Sequence, residues 1–170
     1  MTKKRLQKIR SLIKKNEFDS LLISNPTNRR YVSGFTGSSG YLLITLKECR
    51  LCTDSRYSIQ AEKESPEFEI ITTDKKKPWP SILSEGLDIK TIAFESEDIT
   101  VDILKYLESN TSLKWVPVSN LISTIRSIKD EKEIALIQKS IDITDNSLDI
   151  LENNIGKNIF FFSHQDYVKE

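Results

Sequence analysis

Two apolar runs separated by a two-residue turn constrain this chain more than any other feature. Gly40-Tyr41-Leu42-Leu43-Ile44-Thr45-Leu46 is followed by Lys47-Glu48 and then by Cys49-Arg50-Leu51-Cys52-Thr53. Such a pair predicts a β-hairpin. A hairpin makes part of any sheet it joins antiparallel. Helix and strand signals alternate around it. Residues 2–16 predict a helix with one apolar face, through Leu6, Ile9, Leu12 and Ile13. Residues 18–24 predict a buried strand closed by Asn25-Pro26. Thr27 is placed to cap a short helix through Tyr31 and Val32, which Gly34 would end. Residues 56–64 read as helix and 68–72 as strand. Lys75, Lys76 and Lys77 read as a solvated loop, after which Pro78-Trp79-Pro80 opens a short helix through Leu83. Residues 91–94 and 113–116 read as strands, 101–107 as a helix, and Ser119 as the cap of a further short helix. The alternation predicts one α/β domain, a single mixed β-sheet flanked by helices, over residues 1–125.

Length and charge narrow the function. A chain of 170 residues has room for one well-buried domain and not for two large ones. Its 25 Lys and Arg balance 25 Asp and Glu, so no basic face points to nucleic acid. The start, Met1-Thr2-Lys3-Lys4-Arg5, is basic, but an amphipathic pattern follows it rather than a continuous apolar core. That argues against a signal peptide. No apolar run approaches membrane-spanning length. Cys49 and Cys52 then read as free thiols in a reducing cytoplasm.

A second segment begins near Asp130, which is well placed to cap a long helix. Ile134, Ile137, Ile141, Leu148, Leu151 and Ile155 recur at spacings of three, four and seven, one stripe of such a helix. Residues 126–155 thus read as a linker and a helix whose stripe calls for a partner. Residues 156–170 depart from this pattern. They contain Phe160-Phe161-Phe162, which suits neither a helix face nor a solvated tail. We expect a truncated or frame-shifted reading frame there.

The residues with most family character are Asn28-Arg29-Arg30-Tyr31-Val32-Ser33-Gly34-Phe35-Thr36-Gly37-Ser38-Ser39-Gly40 and, after the hairpin, Thr53-Asp54-Ser55-Arg56-Tyr57. Over residues 1–155 the chain resembles the amino-terminal domain of the creatinase/prolidase/Xaa-Pro aminopeptidase family. The resemblance implies a ribonuclease-H-like topology without a nuclease site. It implies ancestry in a metal-dependent hydrolase that cleaves before proline, and Asp54, Arg56 and Tyr57 are its marker. It also makes Arg126 to Ile134 the lead into the first helix of a catalytic domain. Intact relatives hold two divalent ions (manganese, cobalt or zinc) on two aspartates, a histidine and two glutamates. The motifs around those ligands do not occur here, so no cofactor is expected on this chain and the chain alone is expected to be inactive.

Several constellations have competing readings. Gly34, Gly37 and Gly40 could form a phosphate cradle, but a strand follows the loop and no lysine lies within it. A structural loop with glycines at positive φ is the plainer reading. The resemblance adds a third: Phe35, Thr36, Gly37, Ser38 and Ser39 would border the substrate site of a neighbouring subunit. Phe35 is then either the apolar contact to that partner or a core residue. Asp54 and Arg56 would pair by a charge-assisted hydrogen bond or cap the helix at 56–64. Cys49 and Cys52 lie three apart on a strand, which sends their side chains to opposite faces and away from a shared metal. Ser38 and Ser39 lack an activating base, since the one histidine, His164, lies in the tail. Asp142, Asp145 and Asp149 read as a solvated helix face.

The leading expectation is a non-catalytic amino-terminal domain of a cytoplasmic Xaa-Pro peptidase, serving oligomer contacts and substrate access. Its partners would be another copy or a full-length peptidase subunit. The alternatives are a stand-alone regulatory module that pairs with such a peptidase, and a decayed gene product.

Overall fold

The computed structural model describes residues 2–73 and 77–154. They fall into two units, one ending at Ser127 and one beginning at Ile128. Lys75, Lys76, Ile155, His164 and the whole segment 156–170 lie outside the described residues.

The first unit opens with helix α1 (Thr2–Lys15). Strand β1 (Ser20–Ile23) and helix α2 (Pro26–Ser33) follow. The expected hairpin is β2 (Tyr41–Thr45) and β3 (Cys49–Thr53). Next come α3 (Ser58–Glu64), β4 (Glu69–Thr72), α4 (Trp79–Ser84) and β5 (Thr91–Glu95). The unit closes with α5 (Val101–Asn110), β6 (Lys114–Val118) and α6 (Leu121–Ser127). The six strands form one mixed sheet in the order β4-β3-β2-β1-β5-β6. β1–β2 and β2–β3 are antiparallel, while β3–β4, β1–β5 and β5–β6 are parallel. Pro117 lies in β6, at the sheet's edge, where its missing N–H costs no central ladder bond.

Period-two alternation sorts the strands' side chains onto two faces. Leu21, Ile23, Leu42, Ile44, Leu51 and Ala93 pack under α1, α2, α3 and α6. Leu22, Leu43, Cys52, Ile92 and Phe94 pack under α4 and α5. The central strands are apolar on both faces because helices cover both. Cys49 and Cys52 divide between these two layers, as their spacing predicts.

Two expected caps are placed differently. Asn25, not Thr27, caps α2: its side chain accepts from the amides of Thr27 and Asn28 at 3.0 and 3.1 Å. Pro26 then occupies the first helical turn, where its missing N–H is harmless. Gly34 ends α2 at φ 87°, its amide donating to the carbonyl of Arg30. Ser119 exchanges a hydrogen bond with the Ser96 hydroxyl instead of capping α6.

The second unit holds α7 (Glu131–Asn154). Asp130 accepts from the amides of Lys132 and Glu133, and Glu133 accepts from the Asp130 amide. This reciprocal pair is a capping box. Ile134, Ile137, Ile141, Leu148 and Leu151 are all exposed.

Candidate functional site: the glycine loop before the hairpin

The segment from Phe35 to Gly40 alternates in its burial. Phe35, Gly37 and Gly40 are buried, whereas Thr36 and Ser38 are exposed and Ser39 lies between. Phe35 is 1% exposed and belongs to the core. Its ring meets that of Tyr57 edge-on, with centroids 6.1 Å apart. Of the two readings left open for Phe35, the core residue is the one observed. Gly37 is needed because a Cβ there would overlap the Phe35 ring. The glycine spacing therefore serves close packing at Gly37 and positive φ at Gly34 (87°) and Gly40 (158°).

Arg29 holds the loop from inside. It is 3% exposed. Its guanidinium donates to the carbonyls of Gly40 at 2.6 Å and Gly37 at 2.7 Å. These two acceptors would otherwise be buried without partners, which is costly. Burial pushes the Arg29 guanidinium below its ordinary pKa. Within the loop, the Phe35 amide donates to the Ser33 hydroxyl.

Glu64 holds the loop from outside. Its carboxylate accepts from the Thr36 amide at 2.8 Å and from the Thr36 hydroxyl. Gln60 donates to both Thr36 Oγ1 and Glu64 Oε1. The Thr36 amide leads the contacts that lower the Glu64 carboxyl pKa. Ser38 and the Tyr57 hydroxyl lie 2.8 Å apart. The exposed edge of the loop is thus a polar row, Thr36 and Ser38, braced by Tyr57, Gln60 and Glu64.

Asp54 and Arg56 make the charge-assisted pair that their spacing allows. Arg56 donates from Nε and Nη2 to the two carboxylate oxygens, each at 2.9 Å. The Arg56 amide also donates to Asp54 Oδ1. This pairing draws the carboxyl pKa down, with the Arg56 side chain as the largest cause. The alternative of a helix cap is not realised: α3 starts at Ser58 without a side-chain cap. Tyr57 is the member of this marker that touches the loop.

Arg29, Gln60 and Glu64 were missed as functional positions in the sequence. Arg29 sits in a helix whose burial depends on the tertiary packing. Gln60 and Glu64 are separated from Thr36 by the whole hairpin. Cys52 is inert, since burial pushes its thiol pKa up to about 12. The Cys49 thiol donates to the Glu67 carbonyl. Among the described residues no three His, Cys, Asp or Glu side chains gather to hold a metal ion. No described helix is long and apolar enough to cross a membrane.

Comparison with known proteins agrees with this architecture. The family model described as the creatinase/prolidase N-terminal domain matches residues 5–128. An uncharacterized peptidase of Bacillus subtilis, YqhT, is 31% identical over 145 residues, covering 84% of this chain and 41% of that protein. An Xaa-Pro dipeptidase of Pyrococcus horikoshii is 29% identical over 146 residues, covering 85% and 40%. Among solved structures, the Xaa-Pro dipeptidase of Bacillus anthracis superposes with a TM-score of 0.83 at 25% identity, covering 90% of this chain and 43% of that one. The N-terminal domain of cytoplasmic peptidase PepQ from Mycobacterium tuberculosis superposes with a TM-score of 0.64 at 30% identity. That match covers 71% of this chain and 96% of the other. The chain thus spans about two-fifths of the length of the curated relatives YqhT and the Pyrococcus dipeptidase. The chain belongs to the creatinase/prolidase N-terminal domain family, whose model matches most of its first unit.

Proposed function

We propose that this chain is the non-catalytic amino-terminal domain of a cytoplasmic Xaa-Pro peptidase, supplying subunit contacts and one wall of a substrate site. The observation that carries this reading is the pattern of coverage. The chain covers 96% of a solved stand-alone amino-terminal domain but 43% of a full Xaa-Pro dipeptidase chain. The described residues also bring together no donor set for a catalytic metal. The polar row at Thr36 and Ser38 is the part of the loop that can meet a neighbour. Phe35, Gly37 and Arg29 face inward and set its position. Thr36 and Ser38 are the exposed positions through which the loop would meet a peptide substrate held by another subunit.

The purified chain is expected to hydrolyse no Xaa-Pro peptide, with or without added divalent metal. Metal-dependent cleavage that survives purification and is lost on changing a residue of this chain would overturn the reading. In a full-length relative carrying this domain, Ser38→Ala should change peptide KM and leave the denaturation midpoint in place. The rival reading is a regulatory or binding module that pairs with a full-length peptidase, and the exposed stripe on α7 is the surface it would use. Mixing the chain with such a peptidase and measuring both complex formation and activity distinguishes a regulatory partner from an inert fragment.

A further inference from the structure

A cleft of about 400 Å³ opens beside the ends of three strands. It is lined by residues that follow β1 (Asn25, Asn28), that end or follow β5 (Glu95, Glu97), and that follow β6 (Asn120, Arg126). These three strands run parallel, and all three present their carboxyl ends here. β1 and β5 are neighbours in the sheet, yet the chain leaves them in opposite directions. From β1 it moves to β2 on one side, and from β5 it moves to β6 on the other. The loops therefore diverge and leave a crevice between them. Such a topological switch point is where open α/β sheets bind ligands.

The crevice has a built floor. Glu95 is 4% exposed. Its Oε2 accepts from the amides of Ser24 and Asn25 at 2.9 and 2.8 Å. Its Oε1 accepts from Asn28 Nδ2 at 2.6 Å. Asn28 in turn accepts from Arg126 Nη1 at 2.9 Å. Burial raises the Glu95 carboxyl pKa, the three donors notwithstanding. A relay of Glu95, Asn28 and Arg126 thus joins β5, α2 and α6 across the floor.

Two charged groups in the lining have capacity left over. A guanidinium carries five N–H donors. Arg126 uses one on Asn28, stands 6.0 Å over the Tyr31 ring, and makes no ion pair among the described residues. Glu97 accepts the Asn120 amide through Oε1 at 2.7 Å, and its other oxygen makes no described contact. A simple anion would face the two carboxylates of the lining. A simple cation would face Arg126. A molecule with both charges can meet Arg126 with its carboxylate and Glu97 with its ammonium. The volume admits a small ligand and excludes a folded partner.

We infer that the cleft between Asn25, Glu95, Glu97 and Arg126 binds a small zwitterion of the α-amino-acid class. The site lies wholly within the first unit and does not depend on the peptidase reading. The test uses the full chain, labelled with nitrogen-15, and L-alanine as the probe, with acetate and ethylammonium as single-charge controls. L-Alanine should give saturable shifts at the amides of Asn28, Asn120 and Ser123 below about 50 mM, a range that saturates a millimolar site. Arg126→Gln and Glu97→Gln should each weaken binding at least about tenfold, the cost of one modest polar interaction. Each variant's amide spectrum outside the cleft should stay superimposable, which separates lost binding from lost folding. Equal binding of acetate, or unchanged affinity in both variants, would overturn the assignment. So would the absence of any saturable shift with L-alanine.

Discussion

The core of the first unit and the stripe of α7 are written in similar residues and meet opposite fates. Leu21, Leu22, Ile23, Leu42, Leu43 and Ile44 are each at most 1% exposed. Ile134, Ile137, Ile141, Leu148 and Leu151 are 46–58% exposed. The strand set is apolar on both faces, whereas the helix set recurs near every 3.6 residues. Periodicity states which side of an element is apolar. It does not supply the surface that covers it. In the first unit the chain provides helices for both faces of the sheet. On α7 the stripe is exposed, and the relatives matched by this chain are more than twice as long. Five exposed Leu and Ile side chains, each worth roughly 1.5–3 kcal/mol on burial, favour association with another surface.

Predictions from this contrast run from large effects to small. Phe35→Ala should destabilise the first unit by about 3–5 kcal/mol, the usual cost of emptying a buried aromatic site. Ile137→Ala on α7 should change stability by less than about 0.5 kcal/mol. Urea denaturation of both variants at low concentration reads the contrast. A large loss for Ile137→Ala would show that the stripe is already covered and would erase it.

Next, Arg29→Leu strands the Gly37 and Gly40 carbonyls, at about 1–3 kcal/mol for each buried acceptor. Amide exchange across residues 36–40 should quicken in that variant. Unchanged exchange would mean that the loop is held by Phe35 alone. Asp130→Ala removes the capping box of α7 and should cost about 0.5–2 kcal/mol of helix stability. Exchange at Lys132 and Glu133 reports it, while the first unit should not respond.

The smallest effect is one of pH. The Glu64 carboxyl pKa is lowered in the folded chain, first by the Thr36 amide. Its contribution is therefore present above the unfolded carboxyl pKa and is lost as pH falls through the folded value. The Thr36 amide resonance should shift in that acid window. Glu64→Gln should abolish the shift, and a Thr36 titration that persists in the variant would assign it to another group.

Local chemistry was legible. The hairpin at 40–53 and the helix before it follow from turn residues and short spacings. The cap at Asp130 belongs with them. Where neighbouring residues competed for one role, the sequence was less decisive. Asn25 and Thr27 both precede α2, and the backbone entering from β1 gave the cap to Asn25. Asp54 could cap or pair, and Arg56, two residues away, took the carboxylate first.

The loop shows where sequence and tertiary structure divide. Three glycines from Gly34 to Gly40 indicated a flexible connection into the hairpin. They did not say which way Phe35 points. That direction depends on the room left at Gly37 and Gly40 and on the edge of the Tyr57 ring. Nor could any spacing pair Arg29 with the carbonyls of Gly37 and Gly40, or Glu64 with Thr36 across 28 residues. The strand order has the same origin. β1 finds β5 across 72 residues, and their diverging connections open the cleft at Glu95 and Arg126. By itself the sequence determined which elements form and which of their faces are apolar, because those follow from local sterics and side-chain period. Only the tertiary structure decided which faces are covered and which polar groups meet, because both depend on surfaces brought together from distant parts of the chain.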